Sequence, residues 1–353
     1  KEKRYTTMIV MQSWMFLSSF ENLRLKLIKE STISSLIQLG YGAIGIAFGT
    51  TAFCLKKEGN TENKGHYFRI FEKMAQNLNT EDIALLFRKA SKNADFKYKF
   101  SSYMSSEGIA ENIESNEEGN QIYYSTSQQD FHKIPGSPIA YWVSDRVKEI
   151  FEKSEKLGEI GDAREGLTTG NNDIFLRLWY EVENKKIGYK YPSAASAERD
   201  GMKWIPYNKG GEFRKWYGNH DYVVNWENDG CEIKENTRRV YPQLGDNLGW
   251  KISNEKYYFK EGISWTVVTS KVCFRRYYQG HIFSNSGQSV ISDNSVLLDY
   301  LTAVLNSRIS EMVLAMISPT LGFESGYVNK VPVVIDKNRE CECCTIANSN
   351  ISI

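Results

Sequence analysis

The sequence predicts an α/β fold in which the closing part of a doubly wound sheet is followed by a mixed α+β region. The apolar segment 8–17 predicts a buried strand, and the capping-box spacing of residues 18–21 starts a helix that runs to about Glu30. Two further strands are expected at residues 32–39 and 47–55. This order of strand, helix, strand and strand is typical of the last third of a doubly wound sheet.

The chain is expected to be one part of a longer protein, because the parallel strands that should flank residues 1–60 are missing from the sequence. Residues 61–160 are polar and helix-leaning. Within them, residues 101–130 hold six acidic and no basic side chains, which predicts an acidic connector that a phosphate backbone would avoid. A domain boundary is expected near residues 155–165.

Residues 161–340 are expected to form the mixed α+β domain. From Gly161 to about Asn294, short alternating segments rich in Gly, Asn, Trp and Tyr predict strands joined by long loops. Apolar residues then step by three and four from Leu297 to Met316, which predicts one long amphipathic helix before a turn at Pro319. Residues 341–353 are expected to be a tail.

The overall charge is close to neutral, with 44 Lys and Arg residues against 43 Asp and Glu residues. A polyanionic partner would therefore have to meet a local basic patch. No apolar run approaches the roughly 18 to 20 residues that span a bilayer, and the first residues do not form a signal peptide. We therefore expect a cytoplasmic protein with no membrane partner.

Few residue patterns in the sequence point to catalysis. Only Cys341, Cys343 and Cys344 cluster among the six cysteines, and they leave open either a zinc site or free thiols. No two prolines are adjacent, there is no Ser/His/Asp, H-E-x-x-H or P-loop pattern, and the four histidines are far apart. Neither catalysis nor cofactor binding is expected from this segment alone.

The segment GLTTGNNDIFLRLW, residues 166–179, is the first candidate for binding a phosphate or a base. Its glycines let backbone N–H groups approach an anion, and its polar side chains offer hydrogen bonds. The candidate residues are Thr168, Thr169, Asn171, Asn172 and, for charge, Arg177. The alternative is a Gly/Asn turn that enters a strand.

The segment KGGEFRKWYGN, residues 209–219, is the second candidate. Lys209, Arg214 and Lys215 are interleaved with Trp216 and Tyr217, and cations beside aromatic planes suit phosphates and bases. Residues 203–276 hold 13 Lys and Arg against 9 Asp and Glu, so the basic character is local. A solvated face of mixed charge is the alternative.

Two arginine pairs complete the candidate set, because a guanidinium group can contact guanine edges or phosphates. They are Arg238 with Arg239 and Arg275 with Arg276. By contrast, core packing is the more frequent role for tryptophans such as those at positions 204, 226, 250 and 265.

Eight segments of the chain together resemble one known family. They are IVMQSWMFLSSFENLR (9–24), IPGSPIAYWVSD (134–145), GLTTGNNDIFLRLWYEV (166–182), KGGEFRKWYGN (209–219), GISWT (262–266), RYYQGHIFSNSG (276–287), LNSRI (305–309) and PTLGFESGYVNKVPV (319–333). In this order they resemble the large adenine-N6 DNA methyltransferases of the BREX phage-defence system (PglX type). More distantly, they resemble single-chain type II restriction-modification enzymes.

The resemblance implies that the full enzyme transfers a methyl group from S-adenosylmethionine to N6 of adenine in double-stranded DNA. Residues 1–60 would end the catalytic domain, with the cofactor site and the catalytic Pro-Pro motif before Lys1. Residues 161–340 would form the DNA target-recognition domain. S-adenosylmethionine is thus implied for the full-length enzyme and no cofactor for this segment.

Double-stranded DNA is the partner that the resemblance implies, and other phage-defence proteins or a phage inhibitor stay open as further partners. A second class of function also stays open, namely a protein-binding or assembly module of a phage-defence complex. A carbohydrate-binding domain is a weaker third alternative, because nothing in the sequence points to secretion.

Overall fold

A computed structural model describes residues 4–40, 42–45, 48–59, 63–72, 78–318 and 322–352. The chain divides into two units, Lys1–Lys153 and Ser154–Ile353. Two expected features lie partly outside the described residues: Ala47 at the start of the predicted third strand, and the turn at Pro319.

The first unit is built on a five-stranded sheet with the order β1-β3-β2-β4-β7. The strands of this unit are β1 (Tyr5–Met11), β2 (Thr32–Gly40), β3 (Thr50–Lys56), β4 (Lys64–Arg69), β5 (Lys97–Tyr98), β6 (Asn120–Gln121) and β7 (Tyr123–Ser127). Its helices are α1 (Glu21–Glu30), α2 (Thr80–Lys92) and α3 (Asp145–Lys153). Strand β3 pairs antiparallel with both β1 and β2, so β1 and β2 run in the same direction. Strand β4 is parallel to β2, and β7 is antiparallel to β4.

The predicted order of strand, helix, strand and strand is confirmed, but two details are wrong. The first strand ends at Met11 and is exposed along almost its whole length, because only β3 pairs with it among the described residues. The capping box does not form: residues Ser18–Phe20 make a 3-10 turn, and α1 begins at Glu21 without a side-chain cap. Phe20 occupies the cap position and has no side-chain acceptor.

A buried arginine connects α1 to the IPGSP turn. Arg24 is 1% exposed and donates hydrogen bonds to the backbone carbonyls of Trp14, Leu17, Gly136 and Ser137. A buried charge is tolerated when its donors are satisfied in this way. The resemblance segments 9–24 and 134–145 therefore meet through one side chain.

The predicted connector, residues 61–160, contributes strands to this same unit. Strands β4 and β7 extend the sheet beyond β2, and β5 and β6 pair separately with each other. The acidic segment is partly neutralised by ion pairs from Lys97 to Glu117 and from Lys99 to Glu118. Pairing between strands that are distant in sequence thus overrides the helix-leaning composition.

The second unit contains two four-stranded sheets of short strands, with the orders β10-β12-β11-β15 and β14-β13-β16-β9. Its strands are β8 (Glu155–Lys156), β9 (Asp162–Arg164), β10 (Leu176–Leu178), β11 (Trp204–Asn208), β12 (Tyr222–Asn225), β13 (Gly262–Trp265), β14 (Phe274–Tyr277), β15 (Ile282–Phe283), β16 (Ser289–Ile291) and β17 (Pro332–Val333). Its helices are α4 (Leu157–Ile160), α5 (Asn172–Phe175), α6 (Ala194–Arg199), α7 (Glu227–Val240), α8 (Ser295–Leu305), α9 (Arg308–Ile317), α10 (Ser325–Val328) and α11 (Glu340–Ile351). The predicted pattern of short strands joined by loops is confirmed.

The long helix predicted from Leu297 to Met316 is two helices, α8 and α9. The helix breaks because the Asn306 side chain bonds to the backbone N–H and carbonyl of Phe274, while Ser307 caps α9 by accepting from the N–H of Ser310. Asn and Ser favour such local bonds over helix continuation.

The predicted tail, residues 341–353, is mostly helical. Helix α11 packs on α8: Ala347 is fully buried, and Asn348 donates to the Asp299 carboxylate at 3.3 Å. Cys341, Cys343 and Cys344 lie on this helix as free cysteines. A buried contact to α8 explains why this segment is ordered as a helix.

Candidate nucleic-acid interface

Three chain segments run in parallel and end side by side in the second unit. Strand β15 is parallel to β11, and Leu167 forms a parallel bridge to Ser284. Backbone hydrogen bonds join Leu167 to Phe283 at 2.9 Å and Ser284 to Asn208 at 3.1 Å. The residues that follow each segment, 168–172, 209 and 285–286, are therefore brought to one edge.

These residues surround a pocket of about 310 Å³, which we call the polar pocket. Its lining consists of Thr168, Thr169, Gly170, Asn171, Asn172, Tyr207, Lys209, Tyr241, Asn285 and Ser286. This lining includes one cation, Lys209, and no carboxylate. The structure thus unites the first candidate loop with Lys209 of the second candidate segment.

Local hydrogen bonds fix the loop 168–172. Asn171 caps α5 by accepting from the backbone N–H groups of Asp173 and Ile174, and Thr169 Oγ1 donates to Asn172 Oδ1 at 2.6 Å. Gly170 has a φ of +75°, a conformation that glycine adopts without strain. The loop is therefore preorganised by its own polar side chains.

Lys209 is held from two sides. Its carbonyl accepts a hydrogen bond from Ser286 Oγ at 2.9 Å, and its Nζ lies 4.2 Å from the centre of the Tyr222 ring. A cation over a tyrosine face is attracted by the ring quadrupole. Lys209 thus lines the polar pocket, and its ammonium group has no carboxylate partner among the described residues.

Lys251 adds a second cation beside this pocket, which sequence reasoning missed. Its carbonyl accepts from the Thr168 N–H at 2.7 Å, and its Nζ lies 4.6 Å from the Tyr241 ring and 4.3 Å from the Trp250 ring. Trp250 is 63% exposed, so it is not the core residue that was expected. The sequence signal was the adjacent pair Trp250 and Lys251.

The other residues of segment 209–219 do not line the polar pocket. Arg214 is exposed, whereas Lys215 donates to the carbonyl of Asn306 at 2.8 Å and so binds the C-terminal end of α8. Tyr217 is 51% exposed and lines a different pocket. Arg177 folds back onto the carbonyls of Asp173 and Leu176.

Arg238 and Arg239 are exposed in the last turn of α7. Arg239 donates to Asn236 Oδ1 at 2.8 Å, and a Cβ built on Gly170 would lie 3.3 Å from Asn236 Nδ2. This arginine pair therefore lies next to the loop 168–172. Cations at a helix C-terminus are also favoured by the helix dipole.

The expectation that Arg275 and Arg276 reach DNA is wrong. Arg276 is fully buried and bonds to the carboxylates of Glu261 and Asp299, and Arg275 is 2% exposed. The physical reason lies on strand β14, whose free edge is covered by Trp216: its N–H donates to the Phe274 carbonyl, and its carbonyl accepts from the Arg276 N–H. These arginines hold the fold together and have no free face for a nucleic acid.

A second pocket, of about 450 Å³, was also missed by sequence reasoning; we call it the aromatic pocket. It is lined by Trp179, Tyr189, Lys190, Pro206, Tyr217, His220, Tyr222, Val223, Tyr277, Tyr278, Gln279 and His281. Burial lowers the pKa of His220 to about 4 and the pKa of His281 to about 3. Both imidazoles are therefore neutral near pH 7. Tyr278 and His281 lie in the resemblance segment 276–287, which was the signal available in the sequence.

The first unit contains one glycine motif with the spacing of a nucleotide-binding loop. Gly40, Gly42 and Gly45 have G-x-G-x-x-G spacing, but among the described residues this loop leads through the 3-10 turn Ala43–Gly45 towards β3 and not into a helix. It lacks the helix N-terminus on which phosphate binding at such loops depends. Across the described ranges, no three His, Cys, Asp or Glu side chains are grouped to hold a metal ion.

Burial raises the pKa of the Cys343 and Cys344 thiols, which disfavours the thiolate form that binds zinc. In the part of the chain that the structure describes, no helix is long and apolar enough to span a bilayer.

No family model matches the sequence. Among solved structures, the restriction-modification enzyme LlaGI, in complex with a DNA substrate mimic, aligns with 99% of this chain and 29% of that chain at 11% identity and a TM-score of 0.47. MmeI in complex with DNA aligns with 98% of this chain and 41% of that chain at 10% identity and a TM-score of 0.46. These similarities are too low to carry an argument about function.

Two relatives match nearly the whole chain. It is 35% identical over 339 residues to the adenine-specific methyltransferase PglX of Lacticaseibacillus casei (strain Zhang), covering 94% of this chain and 25% of the relative. It is 34% identical over 350 residues to the adenine-specific methyltransferase BrxX of Escherichia coli O9:H4 (strain HS), covering 97% and 24%. The chain therefore spans about a quarter of the length of these relatives. Over almost its entire length, it is a homologue of part of the PglX and BrxX adenine-specific methyltransferases.

Proposed function

We propose that this chain supplies DNA target recognition to an adenine-N6 DNA methyltransferase of a phage-defence or restriction-modification system. The observation that carries this proposal is the polar pocket, whose lining combines a preorganised glycine loop with Lys209 and contains no carboxylate; the Lys209 ammonium has no carboxylate partner among the described residues. Such a combination of backbone, hydroxyl, amide and ammonium donors suits a DNA phosphate or a base edge.

In this proposal, residues 161–340 are the target-recognition domain. Lys209 anchors a phosphate, and the loop residues Thr168, Thr169, Asn171 and Asn172 approach the backbone or base edges. The exposed residues Arg238 and Arg239, next to this loop, add further phosphate contacts, because exposed guanidinium groups can move onto a polyanion. The exposed Arg214 is proposed to add another phosphate contact from the same unit.

Residues 1–60 are proposed to end the catalytic sheet of the enzyme. Strands β1 and β2 run in the same direction with α1 between them in the chain, which is the connection found in doubly wound sheets. We assign S-adenosylmethionine binding to the remainder of the full-length enzyme.

The proposal is tested by the affinity of the 353-residue chain for a mixed-sequence DNA duplex across about 50 to 200 mM salt. We expect the affinity to fall steeply with salt. The variant Lys209→Ala should bind more weakly and should lower the slope of log affinity against log salt by about one, since each neutralised phosphate contributes about 0.9.

The matched control is Lys185→Ala, because Lys185 is an exposed lysine of the same unit that pairs with Glu183 and lines neither pocket. It should leave the slope unchanged. An affinity that is indifferent to salt, or an equal effect of both substitutions, would contradict the proposal. Salt-insensitive binding to a protein with no DNA binding would instead favour an assembly module.

A further inference from the structure

The aromatic pocket is lined by exposed aromatic side chains that could stack on a flat ring. Four of its aromatic side chains are about half exposed: Trp179 and Tyr189 at 48%, Tyr217 at 51% and Tyr278 at 46%. Large aromatic side chains are seldom left this exposed in one place without a partner. The volume of about 450 Å³ lies in the range of sites that enclose small ligands.

The charge of the residues that line this pocket favours an anionic ligand. Its lining contains Lys190 and no carboxylate. Tyr222 belongs to the same lining and also carries the Lys209 ammonium over its ring, so the aromatic pocket adjoins the polar pocket at this side chain. A ligand with a flat ring and a nearby phosphate matches both pockets together.

Two histidines supply polar groups beside the flat walls. The His281 Nδ1 lies 2.9 Å from the Tyr278 carbonyl, which can only accept, so the neutral ring carries its proton on Nδ1 and leaves Nε2 as an acceptor. Both ring nitrogens of His220 are buried without a hydrogen-bond partner among the described residues. Unpaired buried polar atoms are rare and often mark a site for a missing partner.

We propose that the aromatic pocket receives a single DNA base that has left the base stack, while a phosphate of the same strand lies at Lys209. This inference rests on the proposed function and specifies that one base of the bound DNA is unstacked. Stacking on aromatic side chains and a hydrogen bond to His281 Nε2 would replace the contacts that the base loses in the duplex. An aromatic side chain of a protein partner is the competing occupant.

An unpaired base leaves the stack at lower cost than a paired base, so it should enter the pocket more readily. The probes are two duplexes of the same mixed sequence, one fully matched and one with a single unpaired base. We expect the 353-residue chain to bind the duplex with the unpaired base several-fold more tightly. A fluorescent base analogue at the unpaired position should change its emission when the chain binds.

The double substitution Trp179→Ala with Tyr217→Ala should remove this preference, with a loss of about 5- to 150-fold for each stacked base. The conservative variant Trp179→Phe should keep it. Phe213→Ala is the matched control, because Phe213 is 49% exposed and outside the lining of the pocket. Lys209→Ala should weaken both duplexes equally.

The two proposals fail in different ways. Equal affinity for the two duplexes, or a preference that survives the double substitution, overturns the base pocket and leaves the proposed function in place. No binding to either duplex overturns the proposed function and this inference with it. Capture of a protein with an aromatic side chain in the pocket, blocked by the same double substitution, would identify the competing occupant and overturn the base pocket.

Discussion

The ammonium of Lys209 lies 4.2 Å from the centre of the Tyr222 ring, and this contact joins the two pockets of the second unit. Lys209 lines the polar pocket, and Tyr222 lines the aromatic pocket. Strands β11 and β12 set the contact, because Tyr222 pairs with Tyr207, two residues before Lys209. One cation–π interaction thus places a positive charge between a proposed phosphate site and a proposed base site.

Replacing the Tyr222 ring should leave the Lys209 ammonium less well positioned. Tyr222→Leu removes the aromatic face, so Lys209 should be less well positioned and duplex affinity should fall by about 2- to 5-fold, equivalent to about 0.5 to 1 kcal/mol. Tyr222→Phe keeps the face and should bind as the native chain does. Equal affinities for the Leu and Phe variants in a titration at constant salt would refute this role.

Removing Arg276, one of the two buried arginines of β14, should strongly destabilise the second unit. Arg276→Met leaves the partly buried carboxylates of Glu261 and Asp299 without their cation, which costs about 3 to 5 kcal/mol. Urea unfolding followed by tryptophan fluorescence measures the loss. Arg238→Met, at an exposed position, should stay within about 0.5 kcal/mol. A small effect at Arg276 would show that its ion pairs do not stabilise the fold.

Gly230 should not tolerate a side chain. Its φ is +70°, and a Cβ would lie 2.8 Å from the Trp226 ring, so Gly230→Ala combines backbone strain with a steric clash. We expect a loss of about 2 to 4 kcal/mol in the free energy of unfolding. Gly201→Ala is the control, since Gly201 has a similar φ of +69° and its nearest neighbour is the flexible end of the Lys186 side chain at 3.9 Å. This substitution should lower the free energy of unfolding only by the backbone strain, about 1 kcal/mol. Equal losses would rule out the clash.

The paired histidines should make the second unit sensitive to acid. Because burial lowers the pKa of His220 to about 4, the unfolded chain binds more protons than the folded chain between about pH 6.5 and 4. The free energy of unfolding should therefore fall as the pH drops through this window, by on the order of 3 kcal/mol for His220. His281, with a pKa of about 3, acts in the same direction.

The test compares urea unfolding of the native chain and His220→Phe at pH 7 and at pH 4. The variant should lose less stability between these values, because its ring cannot take up a proton. Other titrating groups are common to both chains and cancel in the difference. Parallel pH profiles would show that His220 is not held neutral by the fold.

Local pattern determined much of the secondary structure. The end of α1 at Glu30, strand β2, and the short strands after Gly161 follow from apolar spacing and turn residues, which act over a few positions. The Gly/Asn turn at residues 168–172 also followed from the sequence, because glycine, Thr and Asn chemistry is local; that it binds an anion stays a prediction. Where one side chain bonded to a distant backbone, as Asn306 does to Phe274, the pattern predicted one helix and the chain formed two.

The identity of the site was decided by tertiary structure. In the sequence, both arginine pairs are two adjacent arginines and are equally good candidates for binding an anion. Arg275 and Arg276 are buried because Trp216 covers the edge of β14, whereas Arg238 and Arg239 are exposed. Strands that pair across long stretches of sequence brought the loop 168–172 beside Lys209 and assembled the aromatic pocket. The sequence by itself determined which residues have the chemistry to bind an anion or to stack on a base. Burial and strand pairing, which depend on contacts between distant residues, decided which of them are accessible and lie together.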